Sequence, residues 1–232
     1  GRQRGPAALY SGARFETPSG GARRAPARLG GWREANGGFD MADTRRPGPL
    51  AGLRIVDIAT YIAAPYCATL MAEFGAEVIK VEQPKVGDPC RRLGTVSECG
   101  DTLVWLSEAR NKKSVTLNLK SPKGAAILKQ LVARADALTE NFQPGTLDGW
   151  GLSYESLSAI NPRLILLRIS GYGQTGPYRD LPGFGAIGEA MGGLRHLTGE
   201  SGRVPVRCGV SIGDTLAALH GTIGVLTAMR VV

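Results

Sequence analysis

The chain is 232 residues long, 43% hydrophobic and 21% charged, enough to bury a sizeable core and too apolar to be disordered by composition. Its 28 Lys and Arg against 20 Asp and Glu give a formal charge of +8, a balance that first suggests nucleic acid or a membrane surface. Residues 1–40, however, hold seven Arg against Glu16, Glu34 and Asp40, so half of the excess sits in a short leader and nucleic-acid binding by the body is disfavoured.

That leader carries nine Gly and three Pro, shows no apolar periodicity and precedes the first methionine, Met41. It reads as a disordered Arg/Gly-rich leader or non-native extension, with a body of residues 41–232; a mitochondrial-type presequence is the competing origin. No apolar run approaches the roughly 18 residues needed to span a bilayer, and no signal-peptide core is visible. The body is expected to be soluble and cytoplasmic, or in the mitochondrial matrix if the leader is a presequence. Cys67, Cys90, Cys99 and Cys208 form no C-x-x-C pair and have no His at ligand spacing, so no metal is expected and the four read as free thiols.

In chain order, residues 53–59 form a short β-branched apolar run, a buried strand. Pro65 then suits the first turn of a helix that Gly75 stops. Residues 77–82 alternate polar and apolar as a second strand, completing a βαβ opening with parallel pairing. A long polar loop through residues 87–101 leads to a third strand at 114–119. Ser121 followed by Pro122 caps a helix with Ile127, Leu128, Leu131 and Val132 on one stripe. A brief strand at 137–139, a short helix at 154–160 and a strongly apolar strand at 163–170 follow, and helices near 186–194 and 215–230 close the chain. The alternation predicts an α/β fold, a Rossmann-like mostly parallel sheet with flanking helices. The last helix reaches Val231 and Val232 with no terminator, so the chain is expected to be cut short.

Ligands of such sheets lie beyond the carboxyl ends of the strands. The first such loop, residues 60–65, lacks the G-x-G-x-x-G of a dinucleotide site. That pattern occurs at residues 171–176, but Pro177 follows and no helix opens there, so a structural turn or an active-site loop is the better reading. Asp214 stands between an apolar approach and a helix. It is either an N-cap accepting first-turn amides or a carboxylate nucleophile held at that helix end. His196 and His220 have no Ser or Cys in an elbow motif to serve. Arg110, Lys112 and Lys113, like Arg91 and Arg92, are either a solvated face or a polyphosphate clamp.

The order and spacing of several blocks resemble the class III CoA-transferase family, which also contains α-methylacyl-CoA racemases. The blocks are residues 50–57, 74–82, 110–114, 140–145, 160–165 and 171–177, and the resemblance runs to about Met229. It implies a CoA thioester as substrate, with no prosthetic group, and a small carboxylic acid as the second partner. It implies that Asp214 attacks the thioester carbonyl, giving a mixed anhydride and then an aspartyl-CoA thioester. Tyr61, Ile62, Ala63 and Ala64 match a loop near the thioester, Asn141 and Phe142 match CoA contacts, and Leu117 and Lys120 match nucleotide-side positions. Ile62 and Gln83 stand where formyl-CoA transferases place Gln and Arg, which points away from oxalate or formate. Phe184 stands where the racemases place an acid/base His, and phenylalanine carries no proton, which removes that route. The resemblance also implies a subunit of roughly 400 residues that closes into an interlocked homodimer, making this chain an N-terminal portion. The alternative is a CoA-binding fragment without catalysis.

Overall fold

The computed structural model describes residues 47–231; the leader expected at residues 1–40 and the body's expected start at Met41 lie outside them. Five strands, β1 (Arg54–Asp57), β2 (Glu77–Glu82), β3 (Lys112–Thr116), β4 (Ala137–Glu140) and β5 (Ile165–Arg168), form one sheet in the order β3-β2-β1-β4-β5. Every neighbouring pair is parallel, with Asp57 beside Lys80 on one side and Thr139 on the other. Seven α-helices accompany the sheet among the described residues: α1 (Ala63–Glu73), α2 (Leu103–Glu108), α3 (Pro122–Val132), α4 (Thr146–Gly149), α5 (Tyr154–Ser158), α6 (Gly185–Met191) and α7 (Ile212–Ala228). None is long and apolar enough to cross a membrane.

Successive strand residues point to opposite faces, and the two cores follow that alternation. Ile55, Val78 and Ala137 enter one core with Cys67, Ala68 and Met71 of α1 and Ala218 and Val225 of α7. Val56, Val81 and Leu138 enter the other with Leu128 and Val132 of α3 and Leu157 of α5. Both faces are covered, which is why β1 and β4 are buried along nearly their whole length. The helix α3 begins where the sequence places it, with Ser121 Oγ accepting the Gly124 amide at 3.0 Å.

Some boundaries differ from the expectation. The third strand starts earlier, at Lys112, because Lys112 and Lys113 pair with Val78 and Ile79, while Leu117–Lys120 leave the sheet. The polar stretch expected as a loop contains a 3-10 turn, Pro89–Arg92, capped by Asp88, and then α2, capped by Thr102. No residue of α2 is buried, and its six residues are too few to show a helical period.

The strand order places a switch point between β1 and β4. The chain leaves β1 outward to β2 and β3, then returns to β4 on the other side of β1 and goes on to β5. Connections leaving in opposite directions open a crevice beyond the carboxyl ends of β1 and β4, and the candidate site lies there.

Candidate active site

The two loops bordering the crevice are tied by one side chain. Asn141, just after β4, accepts the Thr60 amide at 2.8 Å and donates to the Thr60 carbonyl at 2.6 Å. The next residue, Tyr61, has φ of 63°, a left-handed conformation that a bulky side chain rarely adopts. It is held there by its amide, which donates to Asp88 Oδ1 at 3.1 Å. Asp88 Oδ2 in turn lies 2.9 Å from Lys80 Nζ, and Lys80 also lies 3.5 Å from Asp57. Lys112 reaches the same Asp57 oxygen at 2.9 Å. All four side chains are at most 2% exposed.

Burial would drive the Lys80 ammonium down, yet Asp57 and Asp88 outweigh it and hold Lys80 above the ordinary lysine value. Burial likewise opposes ionisation of Asp57, but Lys112 and Lys80 keep that carboxyl below its usual range. Charges out of water are stable only when paired in this way. The cluster is the floor that fixes the β1–α1 loop.

The opposite wall is built by α6 and α7. Ser211 is the N-cap of α7 and makes no side-chain cap bond, so Asp214 lies three positions into the helix and is not its cap. Its carboxylate sits against Gly185, where a Cβ would fall 2.8–2.9 Å from Oδ1, Oδ2 and Cγ. Only glycine leaves room for that approach. Burial pushes the Asp214 carboxyl above its usual value; Arg207 opposes the rise and Glu189 adds to it.

Asp214 opens into a cavity of about 370 Å³ whose wall includes Tyr61, Ile62, Asn141, Phe142 and Phe184. The Tyr61 and Phe184 rings meet edge to face, centroids 6.5 Å apart. Gly171 of the 171–176 loop reaches the same cavity and packs backbone to backbone on Gly183. A second cavity, about 310 Å³, shares Thr60 and Phe142 with the first and is lined also by Leu117, Lys120, Asp88 and Trp150. The two cavities adjoin at Thr60 and Phe142, and the second carries Lys120 together with the carboxylates Glu82 and Asp88.

Sequence and fold comparisons now bear on this cleft. A family model described as CoA-transferase family III matches residues 50–232. The chain belongs to the CoA-transferase family III. Among its relatives in that family is the succinyl-CoA–L-malate CoA-transferase beta subunit of Chloroflexus aurantiacus, 58% identical over 183 residues that make 78% of this chain and 45% of that protein. The human succinyl-CoA:glutarate CoA-transferase is 40% identical over 191 residues, 82% of this chain and 44% of that one. A solved structure of a CAIB/BAIF family protein from Brucella suis superposes with a TM-score of 0.76 at 38% identity, covering 80% of this chain and 50% of the other. The chain thus spans about half the length of the relatives it matches.

Within this CoA-transferase family III chain, the residues singled out from the sequence separate clearly. Asp214, Tyr61, Ile62, Ala63, Asn141 and Phe142 all line the first cavity, and Leu117, Lys120 and Phe142 the second. Ala64 lines neither; it is fully buried in α1. Both sequence readings of Lys112 are corrected, since it is neither solvated nor free for a phosphate but buried on Asp57. Lys113 is exposed on Glu77, Arg110 pairs with Glu73, and Arg91 pairs with Glu82 and Asp101 beneath the Trp105 ring.

His220 is exposed and its Nδ1 donates to the Leu216 carbonyl one turn back, outside both cavities. Two residues of the cavity walls, Trp150 and Gly185, escaped the sequence reading. Trp150 packs edge to face on Phe142, centroids 5.2 Å apart. Glu140, at the end of β4, is raised to about 7, chiefly by burial, against the opposing Phe142 amide and Arg168. Nothing local in the sequence reveals that Gly185, next to Phe184, faces Asp214.

Proposed function

We propose that this chain carries the CoA-binding and nucleophile-bearing part of a CoA-transferase that moves CoA from an acyl-CoA to a small organic carboxylic acid. The observation that carries the reading is Asp214: a carboxylate raised by burial at the wall of a cavity that also gathers Tyr61, Ile62, Asn141 and Phe142 and adjoins a second one lined by Leu117 and Lys120. Lys120 and the second cavity suit the phosphate and nucleotide end of CoA, and the first cavity takes the thioester.

Asp214 attacks the thioester carbonyl carbon through one carboxylate oxygen. The tetrahedral oxyanion collapses, breaking the C–S bond, and leaves an acyl-aspartyl anhydride and CoA thiolate. The thiolate adds to the aspartyl carbonyl and expels the donor acid as carboxylate, forming an aspartyl-CoA thioester. The acceptor carboxylate reverses the two steps, displacing thiolate and then losing its acyl group to it, which restores Asp214. No net proton or electron is consumed. A carboxylate is a weak nucleophile in water, and desolvation with fixed proximity supplies the drive. Phe184 on the same wall carries no proton, which supports transfer over racemisation. The relatives named for malate and glutarate transfer favour dicarboxylic acids as the acids exchanged.

The experiment is release of free CoA, followed by chromatography, when the chain is mixed with succinyl-CoA and hydroxylamine. The expected result is release well above the uncatalysed background that falls to background in Asp214→Asn. Release that survives Asp214→Asn places the nucleophile elsewhere, and no release from the unaltered chain leaves it a CoA-binding fragment.

A further inference from the structure

Glu189 lies on α6 against the start of α7, and the route above gives it no task. It is only 4% exposed. Its Oε1 accepts the Gly213 amide at 3.2 Å, and its Oε2 lies 3.5 Å from Arg207 Nε. Gly213 is the second residue of α7 and immediately precedes Asp214. Its amide is among the donors that a helix N-terminus leaves without an intrahelical partner. Those donors, with the helix dipole, stabilise a carboxylate in the first turn and so make it a weaker base.

We propose that Glu189 is a positioning residue for Asp214: by occupying the Gly213 amide and placing a second carboxylate at the head of α7, it withholds the helix terminus from Asp214 and keeps that carboxylate basic. The inference rests on the reading of Asp214 as nucleophile. Arg207, reaching in from the segment before α7, offsets part of the Glu189 charge and lets it stay buried.

The charged groups facing Asp214 are these two, one from α6 and one from that segment. Across the cavity Tyr61 presents a phenol, and on α7 itself the other titratable side chain, His220, is exposed and bonded to Leu216. The directions agree with the geometry: burial raises the Asp214 carboxyl, Arg207 lowers it and Glu189 raises it. A more basic carboxylate attacks a thioester carbonyl more readily, provided that it stays ionised at the working pH.

The test is a carbon-13 NMR titration of the chain labelled at its aspartate carboxyls, with the Asp214 signal assigned by its loss in Asp214→Asn. Glu189→Gln keeps an acceptor for the Gly213 amide but removes the charge, and the Asp214 midpoint shifts down. Glu189→Asp, a milder change that draws the carboxylate back from the amide, shifts it down as well. Arg207→Gln shifts it up. An unmoved or raised midpoint in either folded Glu189 variant, or a downward shift in Arg207→Gln, overturns the proposal. The titration needs no turnover, so the two readings fail separately: loss of Asp214-dependent CoA release removes the nucleophile, while unmoved midpoints remove only Glu189 as its tuner.

Discussion

The two walls of the cleft are held in opposite ways. Beneath Tyr61, four charged side chains are almost wholly withdrawn from water and paired with one another, Lys80 and Lys112 sharing Asp57 while Lys80 also takes Asp88. Around Asp214 there is one ion pair, Glu189 with the half-exposed Arg207, and a van der Waals approach by Gly185. Among the described residues, no hydrogen bond contributes to the Asp214 shift; only burial and two neighbouring charges do. A carboxylate already committed to a lysine, such as Asp57, is stable and unreactive. One that is desolvated without a direct donor keeps its lone pairs for an electrophile. The paired wall fixes geometry, whereas the other leaves the Asp214 carboxylate without a hydrogen-bond donor contributing to its shift, as the proposed nucleophile requires.

The largest effect expected on the paired wall comes from Lys80→Met. It strands Asp88 in the interior and leaves Asp57 with Lys112 alone, and the cost is about 3–5 kcal/mol, measured by urea unfolding at pH 7. A loss below about 1 kcal/mol, the range of surface ion pairs, means the cluster does not behave as a buried one.

Glu140→Gln comes next and reads through pH. Folded Glu140 holds its proton up to about 7, whereas an unfolded glutamate releases it near 4.3, so the folded chain binds more protons in between. Its contribution to stability is therefore fully present below about pH 4 and is lost as pH rises through that window, by roughly 4 kcal/mol in all. The variant lacks this fall, and equal slopes for the two chains between pH 4.5 and 7 count against it.

Gly185→Ala tests the wall around Asp214 and is the smallest of the three. Its methyl would lie 2.8–2.9 Å from the Asp214 carboxylate. Displacing that group by a few tenths of an ångström to an ångström slows CoA release by up to about 10²-fold in a chain that still folds. An unchanged rate shows that the carboxylate does not react from its observed place.

Periodicity carried most of the fold. The apolar runs at 53–59 and 137–139, the Ser121 cap and the stop at Gly75 all correspond to elements, because those signals are local. The parallel sheet and a site beyond the carboxyl ends of its strands followed from the α/β alternation and the rule for open sheets, whereas the strand order, and with it the crevice between β1 and β4, came only with the structure. What stayed hidden depends on distant partners. Lys112 looks solvated in a basic run, and only the fold brings it to Asp57, 55 residues away in sequence. Trp150 lies in no block, and Glu140 heads the 140–145 block without any local sign of its burial.

Asp214 was open between cap and nucleophile because residue type does not show where α7 begins. The cap is Ser211, and Asp214 stands three positions after it. The family resemblance pointed to Asp214 and to the cleft residues around it, whereas Glu189 and Gly185, which shape its surroundings, lie outside every motif.

The most direct measurement is the site of covalent capture. The chain is incubated with succinyl-CoA and hydroxylamine, digested, and its peptides are weighed and fragmented. The account predicts a hydroxamate on Asp214, absent when CoA thioester is replaced by free CoA. A hydroxamate on Glu189, Glu140 or any other carboxyl in place of Asp214 would contradict it.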